Sequence, residues 1–162
     1  MRWVALDYSE TLTDPDTPID LNLGMRPICP DVAETLHELH ERGHGLILAS
    51  NTTADPRQDR QAALRAAGVL NLFTATLTSA DLLIAKPSAA FYRMVVAAAG
   101  CSPERVTFVG NNLFKDVIQP LAHGMRAVYR ASSPQKAEEL PKGVPVISHL
   151  NELPTLLSSD AA

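Results

Sequence analysis

Short apolar runs alternate with segments of helical period along this chain, and that alternation limits the fold more than any other feature. Trp3–Leu6, Gly45–Ala49, Val106–Val109 and Arg126–Tyr129 read as buried strands, with Phe73–Leu77 as a further short strand and Val144–Ile147 as an edge strand. Between them, Pro30–Arg42 places Val32, Leu36 and Leu39 on one helical face and stops at Gly43. Helices are also predicted over Asp55–Ala67, closed by Gly68, over Ser88–Ala99, closed by Gly100, and over Asp116–His123, stopped by Gly124. Ser102-Pro103 opens a single helical turn, Pro134–Leu140 a short helix, and Leu150–Leu157 a closing helix that contains Pro154. Strands separated by helices predict an α/β fold: a doubly wound, Rossmann-like, mostly parallel sheet with helices on both faces.

With 162 residues the chain is read as a single domain, residues 1–162, with one sizeable core. The only long irregular segment, Thr13–Cys29, is read as a loop with a small hairpin, a flap of residues 13–29 rather than a domain. A net charge of −4 leaves no basic footprint for nucleic acid or an anionic membrane surface. No apolar run approaches the ~20 residues of a membrane-spanning helix. The first residues, MRWVALDYSE, enter a strand directly, without the apolar region of a signal peptide. Two isolated cysteines, Cys29 and Cys101, offer neither a disulfide framework nor a zinc pattern, so a cytoplasmic protein is expected.

In open α/β sheets ligands sit beyond the carboxyl ends of the strands. The residues there are Asp7, then Ser50 and Asn51, then Gly110-Asn111-Asn112 with Asp116 following, and Lys86-Pro87 lies between the second and third of these groups. Taken singly, Ser50 and Asn51 are turn residues, Lys86 a solvated lysine, and Asp116 an acid at a helix start. Together they bring a carboxylate, a hydroxyl, an ammonium and a second carboxylate to one edge. Asp14, Asp16 and Asp20 read as solvated turn residues beside Pro15 and Pro18, and of His37, His40 and His44 only one pair shares a spacing of four, with Gly43 before its second member, so no metal site is read there.

These groups, in this order, resemble the motifs of the haloacid dehalogenase superfamily, most of whose members are phosphatases. DYSETL, Asp7–Leu12, is similar to the family's DxDxT after a first strand. LILASN with Ser50 resembles the second motif, AKPSAAFYRMV with Lys86 the third, and FVGNNLFKDV with Asn111 and Asp116 the fourth. The resemblance covers nearly the whole chain. It implies that Asp7 is a covalent nucleophile toward phosphorus and that Ser50, Asn51 and Lys86 bind the phosphoryl group. It implies a Mg²⁺ held by Asp7, the backbone carbonyl of Ser9, Asn111 and Asp116. A carboxylate facing a phosphate dianion at ~4 Å and an effective dielectric of ~20 is repelled by roughly 8 kcal/mol, which is why the chemistry needs a lysine and a metal.

Two positions depart from the pattern. Ser9 stands where the family has its general acid and base, and Asn111 where it has a metal-binding aspartate. Loss of general acid–base help costs typically 10²–10⁴-fold, and an amide oxygen binds Mg²⁺ without a charge. The expected activity is therefore slow phosphomonoester hydrolysis, with weak or no Mg²⁺ binding. A non-catalytic module that binds a phosphorylated ligand or a protein is the alternative, and metal-independent chemistry of the dehalogenase kind is a third. The cation-pumping ATPases of the superfamily, with DKTGTLT, show a related motif lacking that acid. The family's cap has no room between Thr13 and Cys29 or between Asn51 and Lys86, so a capless member is expected. Its substrate would be a phosphorylated small molecule or a phosphoprotein, and a second copy could cover the open site. Leu21, Leu23 and Met25 of the flap are read as covering the chain's own core, and Glu10 as turned away from the nucleophile.

Overall fold

A computed structural model describes residues 1–53, 55, 59–131 and 139–159. Six strands, β1 (Trp3–Leu6), β2 (Gly45–Ser50), β3 (Phe73–Thr78), β4 (Val106–Gly110), β5 (Arg126–Arg130) and β6 (Val146–Ile147), form one sheet in the order β3-β2-β1-β4-β5-β6. Every pairing is parallel. This is the doubly wound order whose direction reverses between the first and fourth strands. The helices are α1 (Pro30–Glu41), α2 (Arg60–Ala66), α3 (Ser79–Leu82), α4 (Ala89–Ala99), α5 (Gln119–Ala122) and α6 (Leu153–Ser159).

Alternation along the strands divides the core. Val4 and Leu6 of β1, with Leu46 and Leu48 of β2, face a cluster that takes in Val32, Leu36 and Leu39 of α1 and Leu153 and Leu157 of α6. Ala5, Ile47 and Ala49 face the other side, against Phe91, Tyr92 and Val95 of α4 and Phe108 of β4. Buried on both sides, the central strands read as continuous apolar runs. At the amino edge of the sheet Gly45 lies flat against the Trp3 indole, and any side chain there would overlap the ring.

Two stretches differ from the sequence reading. The helix predicted over Asp116–His123 starts earlier, as a π-helical turn over Leu113–Ile118 that passes into α5. Pro120 has no N–H to give to the carbonyl of Asp116, so a regular helix could not run through this point. Helix α3 was not expected. Thr78 caps it by accepting from the Asp81 N–H, and the Ser79 hydroxyl ties it to Thr52, accepting from its N–H at 2.8 Å and donating to its carbonyl at 2.9 Å. Pro154 falls in the first turn of α6, where a proline is tolerated, and a 3₁₀ turn over Leu150–Glu152 leads into it. The helix predicted over Pro134–Leu140 lies mostly outside the described residues, as do residues 56–58 of the helix predicted over Asp55–Ala67, which is seen from Arg60.

The flap is tied at a single antiparallel bridge, Asp20 to Met25. Met25 is buried and Leu23 packs on the core, whereas Leu21 is 94% exposed. Two of the three apolar flap residues therefore cover the chain's own core and the third does not. Among the described residues no helix is long and apolar enough to cross a membrane.

Candidate active site

Asp7 follows β1 directly, and its N–H continues the ladder by donating to the Val109 carbonyl at 2.9 Å. Its carboxylate thus emerges between β1 and β4, where the strand order reverses. The chain then turns tightly: Leu12 N–H reaches back to the Tyr8 carbonyl at 2.9 Å. Glu10 takes a left-handed backbone (φ 56°), with its N–H on the Thr13 hydroxyl at 3.1 Å.

Lys86 is the centre of the site. It is 4% exposed, and its Nζ donates to Asp116 Oδ1 at 2.8 Å and to Asp7 Oδ1 at 3.1 Å. The ammonium also lies 5.3 Å from the centroid of the Phe108 ring. Burial pulls the Lys86 pKa down, but the Asp7 and Asp116 carboxylates outweigh it and hold it above the usual lysine value. Asp116 is fully buried, and its carboxyl is pushed up to about 6 by burial first and the Asp7 charge second, against the pull of Lys86. One ammonium is shared by two carboxylates, so the trio carries one negative charge in excess when both acids are ionised.

Asn51 fixes the lysine through its backbone. Its amide nitrogen donates to the Lys86 carbonyl and its amide oxygen accepts from the Lys86 N–H, both at 2.9 Å. Asn51, expected among the phosphate-binding residues, uses its side chain to hold the third motif against the second. Ser50, buried at the end of β2, donates its hydroxyl to the Asn51 carbonyl at 3.3 Å.

Asp116 also departs from the duty expected of it. Its Oδ1 is on Lys86, and its Oδ2 accepts the Asn112 N–H at 3.0 Å, so this carboxylate anchors the lysine. Gly110 makes room for it: an added Cβ would overlap the carboxylate. Asn111, expected as a metal ligand, donates its amide nitrogen to Glu10 Oε2 at 2.7 Å. Ser9 is exposed at the mouth.

Of the groups expected to hold a cation, the Asp7 carboxylate, the Ser9 backbone carbonyl and the Asn111 amide oxygen remain candidates, Asp116 being bonded to Lys86 and to the Asn112 N–H. All are hard oxygen donors. They suit Mg²⁺, which typically uses one or two carboxylates and completes its shell with substrate phosphate and water. Among the described residues, no three His, Cys, Asp or Glu side chains gather as a ligand set of their own. The donors present therefore fit Mg²⁺ brought together with a phosphate.

The sequence reading passed over Arg60 and Tyr8. The Arg60 guanidinium stacks 4.3 Å from the centroid of the Tyr8 ring, beside the nucleophile turn. Tyr8 is buried, and burial above all raises its hydroxyl to about 12, so it remains a neutral donor, to the Arg26 carbonyl at 3.1 Å. Nothing in helical periodicity separates Arg60 from a solvated first-turn residue.

The chain is 33% identical to a phosphoserine phosphatase of Thermus thermophilus over 117 residues, which is 71% of this chain and 46% of that protein. It is 34% identical over 83 residues to the (S)-2-haloacid dehalogenase 4A of Burkholderia cepacia, 51% of this chain and 35% of that one. The chain thus spans less than half the length of these curated relatives. Among solved structures, an uncharacterized protein from Listeria monocytogenes serotype 4b superimposes with a TM-score of 0.79 at 23% identity, covering 98% of both chains. The D,D-heptose 1,7-bisphosphate phosphatase of B. bronchiseptica, crystallised with magnesium and phosphate, gives 0.73 at 18% identity over 99% of both. These two likenesses establish the fold. Residues 2–119 match the haloacid dehalogenase-like hydrolases, and to that family this chain belongs.

Proposed function

We propose that the protein hydrolyses phosphomonoesters slowly, through an aspartyl-phosphate on Asp7, without a cap domain over the site. The observation that carries this reading is the buried Lys86 ammonium bonded to both Asp7 and Asp116. It holds the Asp7 carboxylate in position to attack phosphorus. The P–O bond to the alcohol breaks as the Asp7–phosphorus bond forms. The alcohol leaves with a proton taken from water, since Ser9 has no acid to supply it. Lys86 and the Ser50 hydroxyl offset charge on the phosphoryl oxygens. Mg²⁺, when bound by Asp7, Ser9 and Asn111, adds positive charge at the same oxygens, and with one carboxylate among its donors its hold is weak. Water then attacks phosphorus and releases phosphate and the Asp7 carboxylate.

A second reading, a module that binds phosphorylated ligands without turnover, is favoured by the exposed serine at position 9. Phosphate release from phenyl phosphate with Mg²⁺ separates the two. Slow release by the wild type that Asp7→Asn abolishes supports the hydrolase. Equal release by both proteins, or none from either with phosphate still bound, gives the site to the second reading.

A further inference from the structure

Beside the nucleophile lies a cavity of about 320 Å³, at the small end of the range for ligand pockets. It starts at Tyr8 and Ser9, the two residues after Asp7, and extends beneath the flap to Met25, Arg26 and Arg60. Its walls are of two kinds. Pro15, Ile19 and Met25 give it an apolar side. Arg26 and Arg60 give it two guanidinium groups, against one carboxylate, that of Glu10.

The Glu10 carboxylate is engaged by Asn111, and the Arg26 Nε donates to the Thr17 carbonyl at 2.9 Å. Arg60 is different. Among the described residues, one of its terminal nitrogens meets the Met25 sulfur at 3.5 Å, a weak acceptor, and its Nε is buried with no hydrogen-bond partner. A guanidinium held over an aromatic ring is kept in place without using its N–H donors. A buried donor without an acceptor is costly, and an arriving anion would relieve that cost.

We infer that this cavity seats a second anionic group of the substrate: the protein acts on small phosphomonoesters that carry a carboxylate or another phosphate at the end remote from the scissile bond, with Arg60 as the main contact and Arg26 at the rim. The inference rests on the phosphomonoester reading of Asp7. It places specificity in the flap and the first turn of α2.

The test measures binding and turnover separately. Titration calorimetry on the Asp7→Asn protein with Mg²⁺ compares three series of alkyl phosphates, with chains of two to six carbons. One series is neutral at the far end, one ends in a carboxylate, and one in a second phosphate. At the best chain length, a doubly anionic ligand is expected to bind about tenfold or more tightly than its neutral counterpart. The two anionic series show which group is preferred. The gap closes in Asp7→Asn/Arg60→Met and is largely kept in Asp7→Asn/Arg60→Lys. It is also kept with Arg65→Gln, which removes an exposed charge from the same helix outside the cavity. Equal binding of neutral and anionic series at every chain length overturns the inference, even where the wild type hydrolyses them all. A gap that survives Arg60→Met overturns it too. A preference that Arg60 controls, in a wild type that releases no phosphate, supports the cavity while removing the hydrolase.

Discussion

Asp116 has no contact with solvent, yet it sets the charge of the whole site. A carboxyl whose folded-state pKa lies above its unfolded value binds its proton more tightly in the native protein. The stability this gives is fully present below the unfolded pKa and is lost as pH rises through about 6. Asp116→Asn keeps the shape and removes the titration. Without divalent cations, the stability of the wild type relative to this variant is expected to fall by on the order of 2 kcal/mol between pH 4 and pH 7. Denaturant unfolding across that range checks it, and a flat difference would mean that Lys86 fully offsets the second carboxylate. Asn111 carries another expectation. An aspartate there would set two carboxylates face to face, because its amide nitrogen now meets Glu10 at 2.7 Å. Ser9→Asp/Asn111→Asp should therefore release phosphate more slowly than the same pair with Glu10→Gln added, and the reverse ranking would remove the Glu10 contact from the account. Of the individual residues, Asp7, Ser50 and Lys86 were legible because their types fall at strand ends in a recognisable order. The partners of Asn51, Asp116 and Asn111 were not, because hydrogen bonds between residues 30 to 101 positions apart leave no local trace.

Strands and helices carry these groups to one place, and small details of the elements decide how well. The end of β4 has to be glycine, since the Asp116 carboxylate occupies the space a Cβ at Gly110 would need. Gly110→Ala should cost about 1–3 kcal/mol of stability and most of the phosphate release by displacing the acid that holds Lys86. Thermal melts and a phosphate assay test it, and wild-type values in both would show that the turn adjusts freely. Five of the six strands were found within a residue of their predicted bounds because apolar runs between polar turns are a strong local signal; β6 is shorter than predicted. Helix α3 was missed for the opposite reason. Four residues cannot show a period, and what holds the segment is the distant Thr52 backbone. The π-helical turn before α5 had a sign in Pro120, but a proline indicates that a helix will not stay regular and not how the chain resolves it.

Across the whole molecule the sheet has two working ends. Trp3, the single tryptophan, packs on Gly45 at the amino end, while Asp7 and Asn111 lie just past the carboxyl ends of β1 and β4 and Ser50 closes β2. Because one sheet joins both ends, tryptophan fluorescence and loss of phosphate release should follow a single thermal transition. Separate midpoints would show that the site melts as a unit of its own. The alternation of elements implied a parallel sheet, but the order of its strands is a property of the packed whole and was not legible in any one segment. The exposed serine after Tyr8 has a consequence at this scale as well. Under the proposed mechanism an acyl phosphate on Asp7 would break down without a base from position 9, and wherever that step is slower than its formation the protein would be found charged with phosphate. Such a protein would behave less as a pump for products than as a slow clock, marking by its covalent state how recently it met an ester.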